Sequence, residues 1–130
     1  MGPNAPLNDT CAPSGYQEGS AVSAVQAWTS ANFPANQIVL GVASYGHSFS
    51  VPESTAVVSN AIAAYPSFSP SQPSGDKWDG AAGVDQCGNM EPAGGIFDFW
   101  GMVDAQFIGV NGSAASGIEY RYDNCSQTVS

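Results

Sequence analysis

The sequence has almost no positive charge and no long apolar run. Only Lys77 and Arg121 are basic, against 11 acidic residues, so the formal net charge is −9 and the isoelectric point is about 4.1. Nucleic acid and anionic membranes attract clustered Lys and Arg, so both are poor partners for this chain. No apolar stretch reaches the roughly 18 residues of a transmembrane helix, so we expect no membrane insertion.

Residues that carry common catalytic or metal chemistry are also scarce. His47 is the only histidine, so a two-histidine metal site cannot form within one chain, and we expect neither a metal nor another cofactor. No serine lies in a Gly-x-Ser-x-Gly elbow, which leaves a serine-nucleophile triad without support. Enzyme chemistry would therefore have to rest on carboxylates.

The first half predicts one helix followed by one buried strand. Ser20 can cap the helix, Pro34 ends it, and its apolar stripe is Ala21, Val22, Val25 and Trp28. Residues 37–47 then read Q-I-V-L-G-V-A-S-Y-G-H, a nearly continuous apolar run that is typical of a strand in a parallel sheet. Since no second such strand follows, the chain looks like part of a larger α/β architecture.

The second half predicts short strands separated by turns. Asn111-Gly112 favours a tight turn between residues 102–110 and 116–122, and alternation in 117–122 favours a strand. Residues 56–65 could form a short helix. Apolar residues make up 43% of the chain, which we expect to be enough for a core.

Five stretches resemble secreted fungal chitinases of glycoside hydrolase family 18. They are N-A-P-L-N-D-T-C (4–11), the apolar run 37–47, G-D-K-W-D (75–79), G-G-I-F-D-F-W (94–100) and G-I-E-Y-R-Y-D (117–123). The resemblance implies an α+β fold in a single domain, 1–130. Residues 1–47 would be a helix plus a buried strand, strand seven, from a truncated βα-barrel. Residues 48–130 would be a β-rich part like the family's insertion domain.

The resemblance does not extend to the catalytic residues. The family uses an Asp-x-x-Asp-x-Asp-x-Glu signature, whose Glu protonates the glycosidic oxygen, and no acidic residues here follow that spacing. The family's Met-x-Tyr-Asp motif and strand-eight Trp are also absent. Asp76 with Asp79, or Asp98 with Asp104, could form an acid/base pair, but their Gly-rich and aromatic surroundings favour turn residues. We therefore expect a chitinase-like chain that is not an enzyme.

Surface recognition is the function that remains. One hypothesis is a non-catalytic secreted fungal protein with immunomodulatory activity, which engages a cell-surface receptor of immune cells. An alternative is a module that binds chitin oligosaccharides or other glycans, and a third is an inactive fragment of a chitinase. An unpaired strand also favours a homo-oligomer. Exposed aromatic rings could stack on sugars, although a small domain uses most of its aromatic residues for packing; the candidates are Tyr45, Trp78, Trp100, Tyr120 and Tyr122.

Several features are typical of a secreted, extracellular protein. Asn-x-Ser/Thr sequons make Asn8, Asn111 and Asn124 candidate glycosylation sites. Cys87 and Cys125 lie in the insertion-like part, and we favour a disulfide between them, with Cys11 free, buried or linked to a second chain. Met1-Gly2-Pro3 lacks the lead of a signal peptide, so we interpret the sequence as a mature form with an added initiator Met.

Overall fold

The structure, a computed structural model, describes residues 2–130; Met1, interpreted above as an added initiator, lies outside the described residues. Its elements are short. In chain order they are α1 (Ala21–Ser30), β1 (Tyr45–His47), α2 (Glu53–Ala56), β2 (Val57–Val58), β3 (Ala61–Ile62), β4 (Gly83–Val84), β5 (Met90–Glu91), β6 (Ile96–Asp98), α3 (Phe99–Asp104), β7 (Tyr122–Asp123) and β8 (Thr128–Val129). The mixed α+β composition is as predicted.

Every strand pair in the described part of the chain is antiparallel and two-stranded. β1 pairs with β6, β2 with β3, β4 with β5, and β7 with β8. The chain divides into two compact units, one of residues 44–120 and one of residues 2–43 with 121–130. These bounds differ from the predicted parts 1–47 and 48–130.

The predicted helix is confirmed at its N-terminus. The Ser20 hydroxyl accepts the backbone N–H of Ser23 at 3.2 Å, and the Ser23 hydroxyl accepts the N–H of Ser20 at 2.8 Å. This reciprocal pair satisfies two N–H groups that the first turn leaves without helical partners. The helix ends at Ser30, just before Asn32, which has a left-handed φ of 66°.

The predicted buried strand in residues 37–47 is wrong. Only β1 at its end is a strand, its partner is antiparallel, and Ala35–Gln37 form a 3₁₀ turn. Val39 and Val42 are 94% and 88% exposed, and no backbone group of residues 39–43 bonds to another described residue. The apolar run is typical of a strand buried on both faces, but no parallel strand lies beside it among the described residues.

Three smaller expectations for the second half are also corrected. A helix at 53–56 and the β2–β3 hairpin replace the helix expected at 56–65, because Ser59 and Asn60 both adopt the positive φ that a tight hairpin turn requires. The turn at Asn111-Gly112 closes a single bridge between Ile108 and Ala114, since α3 already uses residues up to 104. Residues 117–121 form no strand.

One disulfide links Cys11 to Cys125, with their Cα atoms 6.3 Å apart. The favoured pair Cys87–Cys125 is therefore wrong, and Cys87 is an exposed free thiol. A backbone hydrogen bond from Leu7 N–H to the Ser126 carbonyl, 2.8 Å long, lies beside this bond. The pairing of N-terminal and C-terminal segments brings Cys11 to Cys125, which sequence spacing alone could not reveal.

The expected hydrophobic core is nearly absent. Ala12 is the one buried hydrophobic residue among residues 2–130, whereas Asp9, Ser20 and Ser126 are buried polar residues. Burial of apolar surface is normally the largest favourable term in folding. Hydrogen bonds and the disulfide must therefore carry more than their usual share of the stability here.

The disulfide should dominate the stability of its unit. Cys11→Ser should lower the free energy of unfolding by about 2–5 kcal/mol, because the bond closes a 114-residue separation in the unfolded chain. Denaturant unfolding followed by circular dichroism measures this change. Cys87→Ser is the matched control and should leave the transition in place; a large loss in Cys87→Ser with none in Cys11→Ser would contradict the assignment.

Candidate functional site

Two loops of the 44–120 unit meet around the carboxylate of Asp79. One Asp79 oxygen, Oδ2, accepts the backbone N–H groups of Gly75 and Gly95, each at 2.8 Å. The Gly94 N–H also donates to the Gly80 carbonyl at 3.1 Å. These bonds hold residues 75–80 against residues 94–96, which are neighbours only in the folded chain.

Asp76 and Asp98 extend the same arrangement. Asp76 accepts the Trp78 N–H with Oδ1 and the Asp98 N–H with Oδ2, both at 2.8 Å. Asp98 in turn caps α3, because its Oδ1 accepts the Gly101 N–H at 2.6 Å. A carboxylate that accepts backbone N–H groups makes a charge-assisted bond, which is stronger than one between neutral groups.

Two glycines are required by this close approach. A Cβ at Gly75 would collide with the carbonyl oxygen of Ile96 and lie 2.7 Å from the Asp79 Cγ. A Cβ at Gly101 would collide with the Asp76 carboxylate. Only glycine, which has no Cβ atom, can therefore occupy these two positions without displacing the neighbouring atoms.

We call Asp76, Asp79, Asp98 and the two loops that they bind the aspartate scaffold. A cleft of about 150 Å³ opens beside it. We call it the Trp78 cleft; its lining residues are Asp76, Trp78, Asp79, Gly80, Ile96 and Asp98. Trp78 is 56% exposed, and the Lys77 Nζ lies 4.1 Å from the indole centroid while it pairs with Asp104 at 2.8 Å. The cleft thus combines an exposed aromatic ring with polar groups at fixed positions.

The carboxyl group of Asp79 stays ionised to low pH. Burial raises its pKa, but backbone hydrogen bonds, led by that of Gly75, outweigh burial and hold the pKa below its ordinary value. Its second oxygen, Oδ1, is buried and accepts no hydrogen bond from the described residues. One oxygen of the carboxylate therefore organises the loops.

The other aromatic candidates lie outside the lining of the Trp78 cleft. Trp100 lies on α3 in edge contact with Phe99, and Tyr120 follows in the same unit; both are exposed. Tyr45 is exposed on β1, where its register partner is the cleft residue Asp98. Tyr122 belongs to the other unit, on β7. Of the five residues, the structure places Trp78 in the cleft.

The carboxylate pairs considered from the sequence have other partners. Asp76, Asp79 and Asp98 bind backbone N–H groups, and Asp104 binds Lys77, so each serves a structural contact. Within residues 2–130, no group of three or more His, Cys, Asp or Glu is arranged to hold a metal ion. None of the helices in that range has the length and apolar character needed to cross a bilayer. Both loops overlap stretches that carry the resemblance to chitinases, 75–79 and 94–100, but no pattern in the sequence indicated that they meet.

The fold corresponds to a portion of a fungal chitinase. It matches the crystal structure of a chitinase from Rhizomucor miehei with a TM-score of 0.77 and 30% identity, over 99% of this chain and 33% of that chain. No family model matches the sequence. The predicted fragment-like resemblance to fungal chitinases is confirmed.

Two curated relatives carry the description "chitinase-like effector". The one from Moniliophthora roreri is 52% identical over 98% of this chain, and the one from Moniliophthora perniciosa is 51% identical over 99%. The chain spans 32% and 30% of their respective lengths. It is thus similar to one portion of proteins that are about three times as long.

Removing the charge of Asp79 should weaken the scaffold. Asp79→Asn should lower the denaturant midpoint at pH 7, because an amide oxygen accepts the two backbone N–H groups less strongly than a carboxylate. The lowered folded-state pKa means that this contribution is present above the unfolded pKa and is lost as pH falls through the folded value. The wild-type protein should therefore lose stability in that acidic range, and Asp79→Asn should lose less.

Asp104→Asn is the matched control, because its ion pair with Lys77 is solvent-exposed and contributes little. Denaturant midpoints measured from pH 2 to pH 7 provide the comparison. Equal pH profiles for the wild type and Asp79→Asn would show that Asp79 has no such role.

Proposed function

We propose that this chain acts by binding, as a secreted, non-catalytic effector of the chitinase-like kind, and that its ligand is a chitin-type glycan held at the Trp78 cleft. The observation that carries the proposal is the exposed Trp78 ring beside fixed carboxylates. A pyranose offers an apolar face to such a ring and hydroxyl or acetamido groups to such acceptors.

Preorganisation supports the choice of Trp78 over the other exposed aromatics. Asp76 binds the backbone N–H of Trp78, and Asp79 binds the N–H groups of Gly75 in the same loop and Gly95 in the partner loop, so the ring starts from a constrained backbone. A site that is rigid before binding pays less ordering cost on association. Lys77 lies over one face of the indole, so a sugar would stack on the opposite face or displace Lys77.

The non-catalytic and extracellular parts of the proposal rest on other observations. The chain has no Asp-x-x-Asp-x-Asp-x-Glu signature, and the carboxylates near Trp78 are engaged by backbone groups. The Moniliophthora relatives are described as effectors, and a disulfide is typical of an oxidising, extracellular compartment. Engagement of a cell-surface receptor, as in an immunomodulatory protein, is the alternative that a failed glycan test would favour.

Chitin-oligosaccharide affinity should depend on Trp78. Trp78→Ala should weaken binding about tenfold, because an aromatic contact contributes roughly 1.5 kcal/mol. Isothermal titration calorimetry with a chitin oligosaccharide measures the change. Trp28→Ala removes an equally exposed indole in the other unit and should leave affinity unchanged; equal affinities for Trp78→Ala and the wild type would reject the site.

Self-association is a second proposed property, carried by residues 39–43. Their backbone groups have no hydrogen-bond partner among the described residues, and their side chains are apolar and uncharged. Such a segment can pair with the same segment of a second copy by adding a strand, without bringing like charges together. The net charge of −9 opposes association elsewhere on the surface.

Light scattering coupled to gel filtration should give twice the chain mass of 13.3 kDa. Val42→Glu should shift the protein to the single-chain mass, because the new charge would be buried against its copy. Val110→Glu, at an exposed valine of the other unit, should remain a dimer. A wild-type protein at the single-chain mass at every concentration would argue against self-association.

A further inference from the structure

The three sequons occupy very different environments in the folded chain. Asn111, Gly112 and Ser113 are all exposed, at the turn that follows Ile108. Asn8 and Asn124 belong to the unit that contains the disulfide, one on each side of the Cys11–Cys125 bond. We propose that Asn111 is the residue that carries an N-linked glycan, and that Asn124 does not.

The sequon at Asn111 presents its amide in a defined conformation. The Asn111 Oδ1 atom accepts the Ser113 hydroxyl at 2.7 Å and the Ser113 N–H at 3.1 Å. Two hydrogen bonds to this oxygen polarise the carboxamide, which makes the Nδ2 protons more acidic. They also orient Nδ2 away from Ser113, where it is accessible in an exposed turn.

This conformation depends only on neighbouring residues. The Gly112 N–H donates to the Gly109 carbonyl, and the Gly109 N–H donates to the Ser113 carbonyl, both at 2.8 Å. Gly112 has a φ of 79°, which glycine adopts without strain. Because every bond lies within five residues, the turn can form on a nascent chain before the rest of the fold.

The modification itself is a group transfer from a lipid-diphosphate-linked oligosaccharide. The Asn111 Nδ2 atom attacks the anomeric carbon of the first sugar, and a new C–N bond forms. The bond between that carbon and the diphosphate oxygen breaks, so the lipid diphosphate leaves with the electron pair. The amide proton passes to a base of the transferring enzyme, and no oxidation or reduction occurs.

In the sequon at Asn124, the serine hydroxyl is buried and hydrogen-bonded within the fold. Ser126 is 2% exposed, and its Oγ donates to the Asp123 carboxylate at 2.8 Å. Its middle residue, Cys125, is held in the disulfide. Once Ser126 is buried and its hydroxyl is bound to Asp123, that hydroxyl can no longer assist a transfer to Asn124.

The sequon at Asn8 is intermediate. Asn8 is half-buried, and its neighbour Asp9 is buried with its Oδ2 accepting the Gly19 N–H at 2.9 Å. The Thr10 N–H donates to Asn8 Oδ1 at 3.1 Å, but no hydroxyl contact matches that of Ser113. A bulky glycan has less room there than at the exposed turn.

Peptide mass spectrometry tests the assignment. The chain is secreted from a eukaryotic host and treated with a peptide N-glycosidase in heavy-oxygen water, which marks each formerly glycosylated Asn as a labelled Asp. We expect the label at position 111 in most molecules and none at 124. Absence of label at 111, or label at 124 above 111, would overturn the proposal.

Matched variants separate the sequon from an effect on folding. Ser113→Ala should abolish the label at 111 while Asn111 itself remains, and Ser113→Thr should keep it. Asn124→Gln should leave occupancy at 111 unchanged. Loss of the label in Ser113→Thr as well would mean that the turn, rather than the hydroxyl, was disturbed, and would refute the stated mechanism. Occupancy of Asn111 is measured by mass spectrometry and glycan binding at Trp78 by calorimetry, so either proposal can fail without the other.

Discussion

Aspartate carboxylates that accept backbone N–H groups organise both units of this protein. Asp79 joins two loops in the 44–120 unit, and Asp9 binds the Gly19 N–H in the other. Asp123 accepts the Cys125 N–H at 3.0 Å beside the disulfide. Since Ala12 is the one buried hydrophobic residue among residues 2–130, these bonds fix loop positions that a hydrophobic core fixes in most domains.

This use of aspartate changes the meaning of the acidic composition. Six of the seven aspartates accept backbone N–H groups, namely Asp9, Asp76, Asp79, Asp85, Asp98 and Asp123. Hydrogen bonds from Asn89 lower the pKa of Asp85, and the Ser126 hydroxyl leads the contacts that lower the pKa of Asp123. Most of the aspartates therefore serve to bind the backbone, and the excess negative charge gives little evidence for a cationic partner.

Sequence reasoning succeeded where the determining contacts are local. The Ser20 cap needs only Ser23, three residues away, and it was predicted correctly. The strand in residues 37–47 was predicted wrongly, because an apolar run indicates a need for neighbours and not their presence. Trp78 is a candidate on sequence grounds, but its cleft requires residues 94–98 to meet 75–80, which no local pattern encodes. The disulfide depends on a similar long-range pairing.

In a chain with so little buried apolar area, exposure of a side chain does not by itself indicate a ligand site. The hydrogen bonding of the backbone distinguishes the two exposed surfaces. The Trp78 N–H is bound by Asp76, and hydrogen bonds fix the loop on either side, so this ring is preorganised for a small ligand. The backbone groups of residues 39–43 make no hydrogen bond to another described residue, and Val39 and Val42 are exposed, so this segment suits pairing with another strand. Because the two surfaces belong to different units and share no residue, we expect a substitution in one to leave the property proposed for the other unchanged.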